Sequence, residues 1–167
     1  MKILAVYYSH HGNTSYVIHK LIVGLGNIGE VTHAKLDYKR GKKNLFKRIL
    51  FKLVPTAVEL VPVPDNLKDY DILCLGIPVL AGLPSSCVTK YLHICKNIKN
   101  KIVLCCYVYG FEANAKVCSR FVRDILERRG KPTIVEMFVP WVNIHIEEEV
   151  DKIVAKAIED LKAVSPK

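Results

Sequence analysis

Apolar and polar positions alternate along the chain with two distinct periods. Short, nearly continuous apolar runs predict five β-strands, at residues 2–8, 30–37, 71–76, 101–107 and 133–138. Between them, apolar residues recur at helical spacing and predict amphipathic helices, at residues 14–25, 85–95, 114–129 and 147–163. A short extended piece is expected at 59–63. The last helix is the clearest, because one apolar stripe runs along it, formed by Val150, Ile153, Val154, Ala157, Ile158 and Leu161.

The order of these elements indicates the fold class. Strands alternate with helices, and the runs at 2–8, 71–76 and 101–107 are apolar nearly throughout, as in parallel strands covered on both faces. We therefore expect one doubly wound α/β domain over residues 1–167. It would be a three-layer sandwich, with a five-stranded parallel sheet of strand order 2-1-3-4-5 and helices on both faces. Ligands of such sheets bind beyond the carboxyl ends of the strands, where three loops would meet, at residues 9–13, 78–83 and 108–112.

The loop after the first strand has the composition of an anion site. It is polar, contains one glycine and leads directly into the first predicted helix. Backbone N–H groups at a helix amino terminus, together with the helix dipole, bind anions and most often phosphate. Gly12 lets the backbone approach closely, and the side chains around it supply further donors. The candidate residues are Ser9, His10, His11, Gly12, Asn13 and Thr14. The alternatives are an anion site without a nucleotide, or an empty turn. For His10 and His11 we expect solvated loop residues rather than catalysts of proton transfer.

Positive charge is concentrated in one segment of the chain. The formal net charge is +9, and no acidic residue lies between Lys39 and Val58. Apolar residues at helical spacing in this segment predict a crossover helix between the second and third strands. Like charges repel unless an acidic surface faces them, so we expect an acidic redox protein to bind residues 39–52, with an anionic membrane surface as the alternative. Nucleic acid is not favoured, because the segment offers only charge. Its basic residues are Lys39, Arg40, Lys42, Lys43, Lys47, Arg48 and Lys52.

Composition narrows the class of protein further. Half of the 167 residues are hydrophobic, but no apolar run is long enough to span a bilayer. The apolar run at the start of the chain also lacks the pattern of a signal peptide. We therefore expect a cytoplasmic protein. The six cysteines form no C-x-x-C pair, which argues against a zinc site or a thioredoxin-type motif. We expect them to be reduced core residues. Cys87, near a predicted helix start, is the one place where a reactive thiolate is the alternative.

The loops resemble those of the flavodoxin family. The sequence S-H-H-G-N-T at 9–14 is similar to the family's S-x-T-G-N-T phosphate loop, with His11 in place of the threonine. The sequence G-I-P-V-L-A-G-L-P at 76–84 is similar to the family's G-x-P-x-x-x-G loop at the flavin edge. The third loop, around residues 107–111, matches the corresponding loop of the family only in its position along the chain. The resemblance in the order and length of the elements extends over the whole chain. Both flavin loops lack the tryptophan that often stacks on the ring; Tyr109 and Phe111 are possible substitutes, and Trp141 lies outside these loops.

The resemblance implies FMN as the cofactor. Its phosphate would bind to the first loop, and its isoalloxazine would lie between the second and third loops. The residues of those two loops are Pro78, Val79, Leu80, Ala81 and Gly82, and Tyr107, Tyr109, Gly110 and Phe111. The Ala81–Gly82 peptide is the candidate for a backbone change on reduction, because glycine adopts both conformations at little cost.

The resemblance also implies a function. We expect a carrier that shuttles single electrons between protein partners. An NAD(P)H-dependent FMN or quinone reductase of the same fold is the first alternative, and a flavin-free basic binding module is the second. Two other users of similar folds are excluded by chemistry. A response-regulator receiver needs clustered aspartates after its first and third strands, where this chain has Ser9, His10 and Pro78. A low-molecular-weight phosphatase needs a nucleophilic cysteine at the start of its first loop, where this chain has Ser9.

Overall fold

The computed structural model describes residues 1–39 and 58–165. The predicted crossover helix at 39–58 therefore lies outside the described residues, except for its two end positions. The described part contains one sheet, and its strands are β1 (Lys2–Tyr7), β2 (Glu30–Lys35), β3 (Ile72–Leu80), β4 (Leu83–Pro84), β5 (Ile102–Tyr109) and β6 (Thr133–Pro140). Five strands are parallel in the order β2-β1-β3-β5-β6, and β4 pairs antiparallel with β3. The predicted fold class and the predicted order of the parallel strands are confirmed.

Across the described ranges 1–39 and 58–165, two pairs of helices cover the two faces of the sheet. The helices are α1 (Asn13–Leu25), α2 (Ser86–Ile94), α3 (Glu112–Arg128) and α4 (Glu147–Val164). Helices α1 and α4 pack on one face, and α2 and α3 pack on the other. The apolar stripe of α4 is the reason for its orientation, because it faces the sheet at its buried positions Val150, Val154, Ala157 and Leu161. The three-layer arrangement expected from the sequence is therefore present.

Helix α1 approaches the sheet closely at one point, over Gly76 in the centre of β3. A Cβ on Gly76 would lie 2.4 Å from the Cβ of Tyr7 and 2.7 Å from Cγ1 of Ile18 on α1. Both neighbours are buried, and β3 is the middle strand of the five. Because Gly76 has no side chain, α1 can pack close to β3. Helix α1 is the helix that begins at the predicted anion loop.

All six cysteines are buried and unpaired with one another. They are Cys74, Cys87, Cys95, Cys105, Cys106 and Cys118. Burial raises the pKa of the Cys87 thiol to about 12, so the thiolate alternative at this helix start is wrong and the expected core role is confirmed. Within residues 1–39 and 58–165, no cluster of three metal-ligating side chains occurs, and no helix is long and apolar enough to cross a membrane.

The second predicted loop is in fact a β-hairpin, and this corrects the prediction. Strand β3 continues through Pro78 and Val79 to Leu80, and the chain returns at once as β4. The strand tolerates Pro78 because its pairing with β1 ends at Gly76, so one side of β3 needs no further donor. The two turn residues, Ala81 and Gly82, have φ values of 50° and 82°. Such left-handed pairs form the type I′ turns that match the twist of a hairpin.

The third predicted loop is shorter than expected. Strand β5 runs to Tyr109 and α3 begins at Glu112, so only Gly110 and Phe111 connect them. Tyr107, which was predicted as the last residue of the strand and the first of the flavin-flanking group, lies inside the strand. The extended piece predicted at 59–63 forms no strand; within the described residues it contributes a single bridge, between Leu60 and Tyr38.

Candidate functional site

Three of the connections converge at the carboxyl edge of the sheet. Because β1, β3 and β5 are parallel neighbours, the segments that follow them start side by side. These segments are residues 8–12, the 81–82 turn and residues 110–111. This edge is where ligands of doubly wound sheets bind. The three segments therefore begin along one edge of the sheet, and Tyr107 is the one predicted site residue that this edge does not expose.

The amino terminus of α1 presents its backbone N–H groups without a side-chain cap. Gly12 is the N-cap residue and has a left-handed backbone, with φ 93° and ψ −25°. Its carbonyl accepts a hydrogen bond of 2.9 Å from the N–H of Tyr16, while the N–H groups of the first turn have no partner inside the helix. The first turn contains no acidic residue. A Cβ on Gly12 would have no heavy atom within 4 Å, so space in front of this end is open.

Ser9 supplies a second, independent sign of a ligand. The residue is only 6% exposed, and its Oγ is buried without a hydrogen-bond partner among the described residues. A buried hydroxyl left unpaired costs free energy, so such a group usually faces a ligand or an ordered water. Thr14, the second residue of α1, is also buried. An uncapped helix start beside a buried, unpaired hydroxyl is chemically suited to a phosphate.

The other residues of the first loop lie at its surface. His10 and His11 are exposed, and their rings contact each other edge to face with centroids 4.4 Å apart. Asn13 is half-buried. The two histidines therefore match the prediction that they are solvent-exposed loop residues.

Tyr8, which the sequence analysis did not single out, connects this loop to the chain beyond β2. Its ring is buried, and its hydroxyl lies 2.6 Å from the hydroxyl of Tyr38 in a hydrogen bond. Burial raises the pKa of Tyr8 well above its usual value. The tyrosine is therefore neutral and holds the base of the loop.

The hairpin presents its tip to solvent and its turn glycine to α3. Leu80 is 57% exposed and Ala81 is exposed, whereas Gly82 is buried. A Cβ on Gly82 would lie 3.4 Å from Cγ1 of Val117, so the turn rests against the first turns of α3. Pro78 and Val79 are half-buried within the strand.

Tyr107 points away from this edge, which corrects its assignment to the site. Its ring is fully buried and stacks on Phe138, with centroids 5.0 Å apart and an interplanar angle of 16°. Burial raises its pKa strongly. Tyr109 is half-buried and its pKa is also raised by burial, while Gly110 and Phe111 are exposed. Only the last three of the four predicted residues reach the surface here.

Trp141 belongs to the same edge, although the sequence analysis placed it outside the flavin loops. Pro140 ends β6 in register with Tyr109, so the residue that follows lies beside Gly110. The indole Nε1 is 3.3 Å from the position that a Cβ on Gly110 would occupy. The common strand direction alone would place Trp141 near this edge, three positions after the fifth predicted strand, but its contact with Gly110 depends on the register between β5 and β6.

Comparison with known proteins identifies the fold. No family model and no curated protein matches the chain. Several solved structures do. Flavodoxin 1 from Bacillus cereus is 17% identical at a TM-score of 0.60, with 99% of this chain and 100% of that chain covered. The two-electron reduced Megasphaera elsdenii flavodoxin is 16% identical at a TM-score of 0.60, with 94% and 98% covered. An NADH:FMN oxidoreductase in its apo form is 15% identical at a TM-score of 0.68, with 99% and 91% covered. This chain has the flavodoxin-like fold.

Proposed function

We propose that the chain binds FMN at the carboxyl edge of its sheet. The buried, unpaired hydroxyl of Ser9 beside the uncapped start of α1 is the observation on which this proposal depends. Ser9, Thr14 and the backbone N–H groups after Gly12 would hold the phosphate. The hairpin turn and residues 110–111 would flank the ring. FMN, when bound, supplies the redox chemistry, while the protein supplies binding, orientation and electrostatics.

We further propose that the chain carries single electrons between protein partners. Two of the similar structures are flavodoxins, which supports this choice. One observation favours a second candidate, an NAD(P)H-dependent flavin or quinone reductase. The hairpin tip offers Leu80, Ala81 and Leu83 and no bulky aromatic side chain, so it would leave room for a nicotinamide over the ring. The similar NADH:FMN oxidoreductase supports the same candidate.

The visible spectrum of the purified protein tests both proposals. We expect the protein mixed with FMN and freed of excess to be yellow, and to bind FMN more tightly than riboflavin because only FMN has the phosphate. Reduction by dithionite without air should then proceed in two separate one-electron stages if the protein is a carrier. Rapid oxidation of NADH or NADPH with a quinone present would instead indicate the reductase. If the folded protein binds neither FMN nor riboflavin, the proposal is wrong. The alternative that then stands is a flavin-free basic binding module.

We propose, from charge alone, that an acidic redox protein binds the basic segment 39–52. Replacing Lys43, Lys47, Arg48 and Lys52 by glutamine should slow electron exchange with an acidic carrier protein about tenfold or more at low ionic strength. The salt dependence of the rate should also become weaker, because fewer charges are screened. Stopped-flow mixing at several ionic strengths measures both effects.

A control variant with the same change in net charge makes this test specific. Lys68, Lys96, Lys99 and Lys131 are exposed and lie away from the carboxyl edge. Replacing these four by glutamine should leave the rate and its salt dependence close to those of the unmodified protein. If the two variants behave alike, the basic segment has no special role, and net charge alone governs the encounter.

A further inference from the structure

Exposed apolar side chains are concentrated at the carboxyl edge of the sheet. Among the large apolar residues that the described structure exposes, seven lie in the segments after β3, β5 and β6 or on the helices that start there. They are Leu80, Leu83, Phe111, Val117, Trp141, Val142 and Ile146. Apolar groups clustered in this way indicate a surface that is covered in the working molecule. The anion site at Ser9 and Gly12 lies on the same edge.

Trp141 and Phe111 are the two aromatic rings of this cluster, and they flank Gly110. Phe111 follows Gly110 in the chain and is 75% exposed. Trp141 reaches Gly110 from the neighbouring strand end, with its Nε1 and Cδ1 3.3 and 3.7 Å from the position of a Cβ there. The five-membered part of the indole therefore covers Gly110. Overall the side chain remains 55% exposed.

The absence of a side chain on Gly110 makes this arrangement possible. Any larger residue would have to displace the indole, because the contact distance is already short. Because Gly110 has no side chain, the indole reaches the backbone there, next to the exposed ring of Phe111. A planar ligand at this edge can lie against the exposed part of the indole, whereas a side chain at 110 would displace the indole.

From this geometry, and given the FMN binding proposed above, we infer that Trp141 stacks on the isoalloxazine ring of FMN. The indole replaces the aromatic side chain that the hairpin tip lacks. Gly110 is two strand spacings from the end of β1, about 10 Å. A ribityl chain from a phosphate at the start of α1 would have to cross this distance to bring the ring beside Gly110. The tryptophan thus contacts the cofactor from a segment, 141–143, that precedes α4.

Trp141 is the only tryptophan of the chain, and this makes the inference directly measurable. Titration of the purified full-length protein with FMN should quench most of its tryptophan fluorescence, because a stacked flavin is an efficient acceptor. Flavin absorbance and flavin fluorescence report binding in the same titration and do not depend on Trp141. Trp141→Ala should weaken FMN binding about tenfold, and Trp141→Phe, which keeps a ring, should weaken it less.

A substitution away from this edge separates stacking from general loss of exposed apolar surface. Val23 is 75% exposed near the carboxyl end of α1, so Val23→Ala should leave the Kd for FMN unchanged. If FMN binds with its absorbance change but tryptophan fluorescence stays constant and Trp141→Ala has the unmodified Kd, the stacking inference is overturned while FMN binding stands. If no flavin signal changes at all, the proposed function itself fails, and the stacking inference falls with it.

Discussion

Gly76→Ala is expected to lower the free energy of unfolding by about 3 kcal/mol. The added methyl group would lie 2.4 Å from the Cβ of Tyr7 and 2.7 Å from Cγ1 of Ile18. Neither neighbour can yield easily, since the Cβ of Tyr7 is fixed to the backbone of the adjacent strand and Ile18 is a buried side chain of α1. Relief therefore requires α1 to move outward, away from β1 and β3. Urea unfolding followed by circular dichroism measures the loss.

A second glycine of the same helix–sheet region provides the control. A Cβ on Gly24 would meet an equally close atom, 2.3 Å away, but that atom is Cδ1 of Ile158, the end of a flexible and half-buried side chain. Gly24 lies in α1, where alanine is favoured over glycine by about 1 kcal/mol. Gly24→Ala should therefore change the unfolding free energy by no more than about 1 kcal/mol. Equal losses in both variants would show that backbone contact is not what distinguishes Gly76.

Gly12→Ala should weaken the binding of FMN by about 10- to 100-fold and leave the weaker binding of riboflavin unchanged. Alanine is strained at φ 93°, so the free loop relaxes towards negative φ and turns its N–H groups away from a common point. Binding the phosphate would then have to restore the strained backbone. The new methyl group would also stand in the open space before the helix. Fluorescence titrations with both flavins measure the difference.

Gly130→Ala is the matched control for this experiment. Gly130 also has a positive φ, 141°, but it precedes β6 at the opposite edge of the sheet. Its replacement should lower stability, because a Cβ would lie 3.0 Å from Lys99, yet the preference for FMN over riboflavin should persist. Loss of that preference in both variants would mean that strain anywhere in the chain perturbs the site. If Gly12→Ala binds FMN with an unchanged Kd, the proposal that the phosphate binds at the start of α1 is wrong.

Sequence patterns predicted the architecture because a strand that is buried on both faces of a sheet consists almost entirely of apolar residues. The runs that became β1, β3 and β5 are almost wholly apolar, and every one of their central residues is buried. The stripe of α4 was readable for the same reason. The position of the loop before α1 could also be predicted, since a polar, glycine-containing segment between an apolar run and a helical pattern indicates a turn.

Three features of the edge could not be predicted, because each depends on contacts between distant segments. Pro78 and Pro84 suggested a loop, and only the end of the β1–β3 pairing at Gly76 explains how a strand accommodates the first of them. The burial of Tyr107 follows from its stacking on Phe138, 31 positions later in the sequence. The location of Trp141 depends on the register between β5 and β6.

The burial of all six cysteines means that only unfolded molecules expose their thiols to oxidation. Folded, the molecule offers no cysteine sulfur to an oxidant, since each of the six thiols is buried. A nascent or heat-opened chain offers all six at once. Oxygen and peroxides would therefore act selectively on opened molecules, cross-linking them before they can close again. The lifetime of the folded protein in air therefore depends on its rate of unfolding rather than on the reactivity of its thiols.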